Sequence, residues 1–143
     1  MRDLHSNIKT AQSLVPAVTK TTRAGAPVDR RGFNALEYVV LVGTNGDALT
    51  GSLKFDLKIE SSEDGTNWTA VTDQKQVQGP TLAGSGIFGT IDAPGKSGLE
   101  YRIGFLGNAR YSRISIVVTG THTNGTPIGV VAILSRADAK PAI

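Results

Sequence analysis

A chain of 143 residues with no cysteine has room for one buried core, and neither disulfides nor thiolate metal sites can support it. Two histidines far apart in sequence give no metal-ligand spacing, and no apolar run approaches the ~20 residues that span a bilayer. The net charge of +3 is uneven, because residues 1–31 carry six Lys/Arg against two acids while the rest carry nine against ten.

The first segment, residues 1–31, shows no sustained period. Pro16, Gly25 and Pro27 interrupt it, and "LVPAVT" reads at most as an edge strand. It is expected to be an extended basic arm, with residues 32–143 forming the body. Its apolar residues are too sparse for a core of their own, so Arg2, Leu4, Ile8 and Lys9 are candidate contacts to another chain. The basic arm lacks interleaved aromatics and no recognition helix follows it, so no nucleic-acid partner is expected. The opening "MRDLHSNIKT" has no apolar signal-peptide core, which predicts synthesis and folding in a cytoplasm. Asn67-Trp68-Thr69 and Asn124-Gly125-Thr126 match the glycosylation pattern, but without an export signal they read as chance.

From Phe33 the pattern becomes β. "FNALEYVVLVG" is rich in β-branched and aromatic residues and runs into a Gly/Asn/Asp turn. "SLKFDLKIE" alternates, with Leu53, Phe55, Leu57 and Ile59 on one face and Lys54, Asp56, Lys58 and Glu60 on the other. "NWTAVT" and "IFGTI" predict short strands, the second inside a Gly/Pro-rich stretch over 78–98. Three strands follow at 99–106, 110–121 and 127–136. With no helical period of useful length, the fold class is all-β: a single β-sandwich or jelly-roll-like domain.

Several motifs resemble sites without carrying their chemistry. "GSGIFG" fits G-x-G-x-x-G at Gly84, Gly86 and Gly89, but "TIDAPGKSG" follows where a dinucleotide fold needs a helix. "GTIDAPGKS" has five residues between its glycines where a phosphate loop has four. "SSEDGTNW" is a turn in which Asp64 accepts backbone N–H bonds, Gly65 supplies positive φ and Trp68 caps the core. Its adjacent Glu63 and Asp64 make a poor cation cage. His122 has abundant Ser and Asp elsewhere in the chain but no G-x-S-x-G elbow, so no nucleophile is singled out. Neither an enzyme nor a cofactor is expected.

"GTHTNGTPIG" reads as a hairpin with a type I′ turn at Asn124-Gly125, which makes His122 an exposed turn-flanking residue opposite Pro127. That register pairs Val118 with Val131 and Ile116 with Ile133 on the core face. A second two-residue turn at Gly107-Asn108 pairs Leu99 with Ile116 and Tyr101 with Ile114 on the same face. On the opposite face the two hairpins line up Arg102, Arg113 and Arg136, and like charges directly opposite repel. The row therefore calls for acids, either Glu100 or Asp138 or the carboxylates of a partner.

Together, "MRDLHSNIK", "SSEDGTNWTAVTD", "YRIGFLGNARYSRISI" and "GTHTNGTPIG", in this order and spacing over Met1 to about Leu134, resemble a family of small tailed-bacteriophage virion proteins encoded near the capsid genes. The resemblance implies a cement or decoration protein on the capsid surface, with the major capsid protein as partner and a homo-oligomer, expected to be a trimer. It carries no catalytic residues. A head–tail connector or tail component is the alternative station. A carbohydrate-binding sandwich module of a phage fibre is another, though most of the few aromatics fall on predicted core faces.

Overall fold

The computed structural model describes residues 2–139, 141 and 142. Its strands are β1 (Ile8–Thr19), β2 (Arg23–Ala24), β3 (Val28–Asp29), β4 (Phe33–Val42), β5 (Lys54–Ser62), β6 (Thr69–Ala70), β7 (Val77–Gln78), β8 (Ile87–Ile91), β9 (Glu100–Phe105), β10 (Tyr111–Thr119) and β11 (Thr126–Ala137). Short 3-10 turns are the helical elements among them. One antiparallel sheet has the order β1-β11-β4-β9-β7; the other is β2-β10-β5-β6, with β3 also on β10 and β8 also on β5. We refer to them as the first and second sheets. They face each other as a β-sandwich.

Alternation builds the core. On β5 the predicted inner residues Phe55, Leu57 and Ile59 are fully buried, in one core cluster with Ile114 and Ile116 beside them on β10 and Tyr38 and Val40 on β4 of the opposing sheet. Tyr38 also carries a polar link between the sheets: its hydroxyl lies 2.6 Å from Ser112 Oγ, and burial pushes its pKa above the usual phenol range. The Gly84–Gly86 turn leads into strand β8, and the turn at Pro94–Lys96 follows it, so "GSGIFG" joins a turn to a strand.

Three expectations are corrected. First, residues 8–19 are not an arm beside the body. They form edge strand β1, paired with β11 from Ile8↔Ser135 to Thr19↔Thr126, and they bury Leu14 in the core. The break at Pro16 is a bulge rather than an end, because the register shifts between Leu14 and Ala17. Arg23 satisfies the carbonyls this irregularity leaves over, donating to Val15 O and Ala17 O and to Ile128 O of the neighbouring strand.

Second, neither predicted hairpin forms. β9 lies in the first sheet and β10 in the second, while β11 returns to the first. The turn segments at 106–110 and 120–125 are therefore crossings between sheets. Gly125 does take positive φ, at +77°, but Asn124 does not, so the turn is not type I′.

Third, the faces of β11 are inverted relative to the predicted register. Val130, Ala132 and Leu134 enter the core, and Val131 and Ile133 face outward. The run "IGVVAIL" is apolar at both parities, so periodicity alone cannot choose its inner side.

Candidate assembly surfaces

With both hairpins replaced by crossings, the three arginines separate. Arg113 lies on the outer face of the second sheet, and its register partner is Glu60 on β5. Glu60 is buried, and its Oε2 accepts from Arg113 Nε at 2.8 Å and from Ser115 Oγ at 2.9 Å. Lys58 Nζ sits 3.2 Å from Oε1. Burial works against the ionised carboxyl, but the bonds from Arg113, Ser115 and Lys58 outweigh it and hold the Glu60 pKa below its ordinary value. On its other side the Arg113 guanidinium stacks 4.2 Å from the Trp68 ring centre. Trp68 is thus half-buried against an arginine on the outer face, not a cap on the core. The acid for Arg113 is Glu60, and neither Glu100 nor Asp138 serves it.

Arg102 belongs to the outer face of the first sheet, on β9, where its side chain is 71% exposed and 4.0 Å from Glu37. Arg136 is exposed near the end of β11 with φ +51°. Asn34 Nδ2 donates both to its carbonyl and to Asp138. Of the N-terminal candidates, Arg2 is exposed, and Leu4 and Ile8 border a shallow hollow beside Ala142. Lys9 lies 6.0 Å from the Phe33 ring centre. These residues do not converge on one site with the arginines.

Two acidic turns hold the loops. In "SSEDGTNW", Asp64 accepts from the backbone of Thr66 and Asn67 at 2.8 Å each and from the Ser62 hydroxyl, while Gly65 has φ +75°. Those bonds keep the Asp64 carboxyl far below the usual range. The second turn escapes sequence reasoning. Asp47 reaches across to the 120–125 crossing, accepting from Gly125 N at 2.8 Å and Asn124 N at 3.0 Å, which lowers its pKa. "NGD" at 45–47 signalled only a turn. Nothing in it names a partner some 80 residues away.

Under this clamp, His122 is buried, contrary to the exposed position expected. Its ring stacks on Phe55 with centres 4.3 Å apart, and Nε2 donates to Thr119 O at 3.2 Å. Nδ1 has no hydrogen-bond partner among the described residues and lies 3.7 Å from Asp47 Oδ2. His122→Ala should therefore destabilise the protein by about 2 kcal/mol through the cavity over Phe55. Gly125→Val should cost at least as much, about 2–3 kcal/mol, since it combines strained φ with a Cβ only 2.6 Å from Thr19 O. Urea melts of both variants check this; a His122→Ala midpoint equal to wild type would place the ring outside the core.

The outer face of the first sheet differs in kind from that of the second. Across β5 and β10 the outward charges are paired: Lys54 with Asp56, and Lys58 and Arg113 with Glu60, with Val117 and Thr119 beside them on β10. Across β11 and β4 the outward side chains are mostly apolar, Glu37 beside Ile133 being the charged exception. Val131 sits beside Val39, and Gly129 beside Leu41. Leu41 is 53% exposed and Val18 55%. Between them runs a furrow of about 600 Å³, floored by Gly129 and walled by Pro16 and Val18 on one side and Leu41 on the other. Pro16 leans over Gly129 so closely that a side chain there would strike it. Among the described residues no group of three His, Cys, Asp or Glu could hold a metal ion, and no helix is long and apolar enough to cross a membrane.

The fold has a counterpart among solved structures. The crystal structure of the SPBc2 prophage-derived protein YomS superposes with a TM-score of 0.51 at 10% identity, covering 90% of this chain and 92% of that one. The neighbour is a prophage protein. At that identity the likeness to YomS is one of fold, and it extends over nearly the whole of both chains. No protein-family model matches the sequence, and no curated protein matches it.

Proposed function

We propose that this protein is a structural component of a bacteriophage virion that binds the capsid surface as a cement or decoration protein, with the major capsid protein as its partner. The observation that carries the reading is the end-to-end fold likeness to prophage-derived YomS. The order and spacing of the four sequence motifs support the same class. Such a role asks for rigid outer faces and no bond-making chemistry. The two sheets supply two faces of different character, one with its charges paired within the sheet and one mostly apolar with Glu37 and Arg102 at its side. Mixing the purified full chain with bare capsids, pelleting them and imaging them by electron cryomicroscopy tests the reading. Repeating density on the head lattice is the expected result. Density confined to the portal vertex or the tail would move the protein to a connector or tail station, and no added density would overturn the reading.

A further inference from the structure

We infer that a hollow at one end of the sandwich, lined by Arg30, Arg31, Arg110 and Leu106, is a docking site for a partner protein that presents neighbouring carboxylates. The turn "DRRGF" builds it. Asp29 accepts from Arg31 N at 2.9 Å, Phe33 N donates to Arg30 O at 2.9 Å, and Gly32 takes φ +86°. Arg31 thereby stands at the exposed tip of the turn. Arg30 N donates in its turn to Arg110 O at 3.1 Å, which locks this turn beside the 106–110 crossing. The hollow between the two segments has a volume of about 440 Å³.

Three arginines line this hollow, and the carboxylates around it are already engaged. Asp29 is taken up by Arg110, which donates to it through Nε at 3.1 Å and a terminal nitrogen at 2.7 Å. Asp138 accepts from Asn34, and Asp64 belongs to its own turn beyond Ala109. Among the described residues neither Arg30 nor Arg31 forms an ion pair. Adjacent cations without an acid repel, and outside carboxylates relieve that repulsion while meeting the planar guanidinium forks bidentately. The site is also partly pre-set. The Arg30 guanidinium lies 5.3 Å from the centre of the buried Phe105 ring, so fixing it on binding costs little side-chain freedom. Leu106, 54% exposed, adds apolar contact in the same hollow, which suits a protein surface better than a phosphate chain. The aromatic rings at this end are covered by cations: Phe33 by Lys9, Phe105 by Arg30 and Tyr111 by Arg110. A nucleic-acid strand finds no free ring here on which to stack its bases.

Titrating the free full chain with a hexaglutamate peptide, followed by NMR amide shifts at low salt, tests the site without any capsid, so its outcome is separate from that of the virion reading. The peptide should shift the amides of residues 29–34 and 106–110. The double change Arg30→Gln and Arg31→Gln should weaken binding about tenfold or more. Arg31→Glu, a single change at the exposed tip, should do the same, and it serves if losing the stack on Phe105 disturbs the fold. Arg102→Gln, at an exposed guanidinium on the outer face of the first sheet, should bind as wild type does. A thymidine oligonucleotide of equal charge should bind more weakly than the peptide. No shift at these amides, an Arg31→Glu variant that binds like wild type, or tighter binding of the oligonucleotide would overturn the proposal. So would an oligomer of the free chain, seen by light scattering, that Arg31→Glu disperses, since a second copy would then fill the hollow.

Discussion

Deleting residues 2–19 should abolish cooperative folding. β1 covers the edge of β11 along its length, and Leu14 is part of the core. The segment also ties the two sheets together. Ser13 O accepts from Ala26 N, and Gly25 approaches the Ile114 carbonyl of the second sheet too closely for any side chain. Arg23, which belongs to the second sheet, donates to β1 carbonyls of the first. Removing β1 exposes the β11 edge beside Ile128, Val130 and Leu134 and leaves Arg23 with Ile128 O as its one remaining acceptor. The loss should reach about 5 kcal/mol or more, comparable to the whole stability of an ordinary domain. Circular dichroism melts of the truncated chain check it. A sharp transition near the wild-type temperature would mean that β1 is an accessory arm after all.

Glu60→Ala should be the most damaging single change on the outer face of the second sheet, at about 3–4 kcal/mol. It leaves Arg113 and Lys58 half-buried without their shared acid, and breaking one partner out of such a cluster costs more than the pair itself contributes. Arg113→Gln should be milder, about 1–2 kcal/mol, because a neutral amide still reaches Glu60 and packs on Trp68. A pH series adds a second reading. The folded Glu60 pKa lies below its unfolded value of about 4.3, so the folded state holds fewer protons there than the unfolded chain between the two values. The contribution of Glu60 is thus fully present above about pH 5. It is lost as pH falls through the lower folded value. In Glu60→Gln this part of the acid destabilisation should be missing, giving a shallower decline below about pH 4.5. Equal acid slopes for wild type and Glu60→Gln would show that the carboxylate gains nothing on folding.

The all-β class, most strand positions, the inner face of β5 and the Asp64 turn are legible in the order of residues alone. Each of these is decided within a few residues. Phe55, Leu57 and Ile59 alternate with charges, so only one side of the strand can be dry, and Asp64 finds its donors at Thr66 and Asn67. Which strands pair is fixed by contacts between distant segments. Asn124-Gly125 and Gly107-Asn108 look like hairpin turns because local turn chemistry requires glycine or its neighbours wherever the chain bends sharply, whether it returns to the same sheet or crosses to the other. The crossing follows from distant partners: β10 finds β5, and β11 finds β1 and β4, so every central strand is paired on both sides. That choice takes Arg113 from a row of arginines to Glu60, and His122 from the surface to the ring of Phe55. It also turns Val131 and Ile133 outward. In a strand apolar on both faces, burial is settled by which side meets the opposing sheet, and no periodicity along the chain records that.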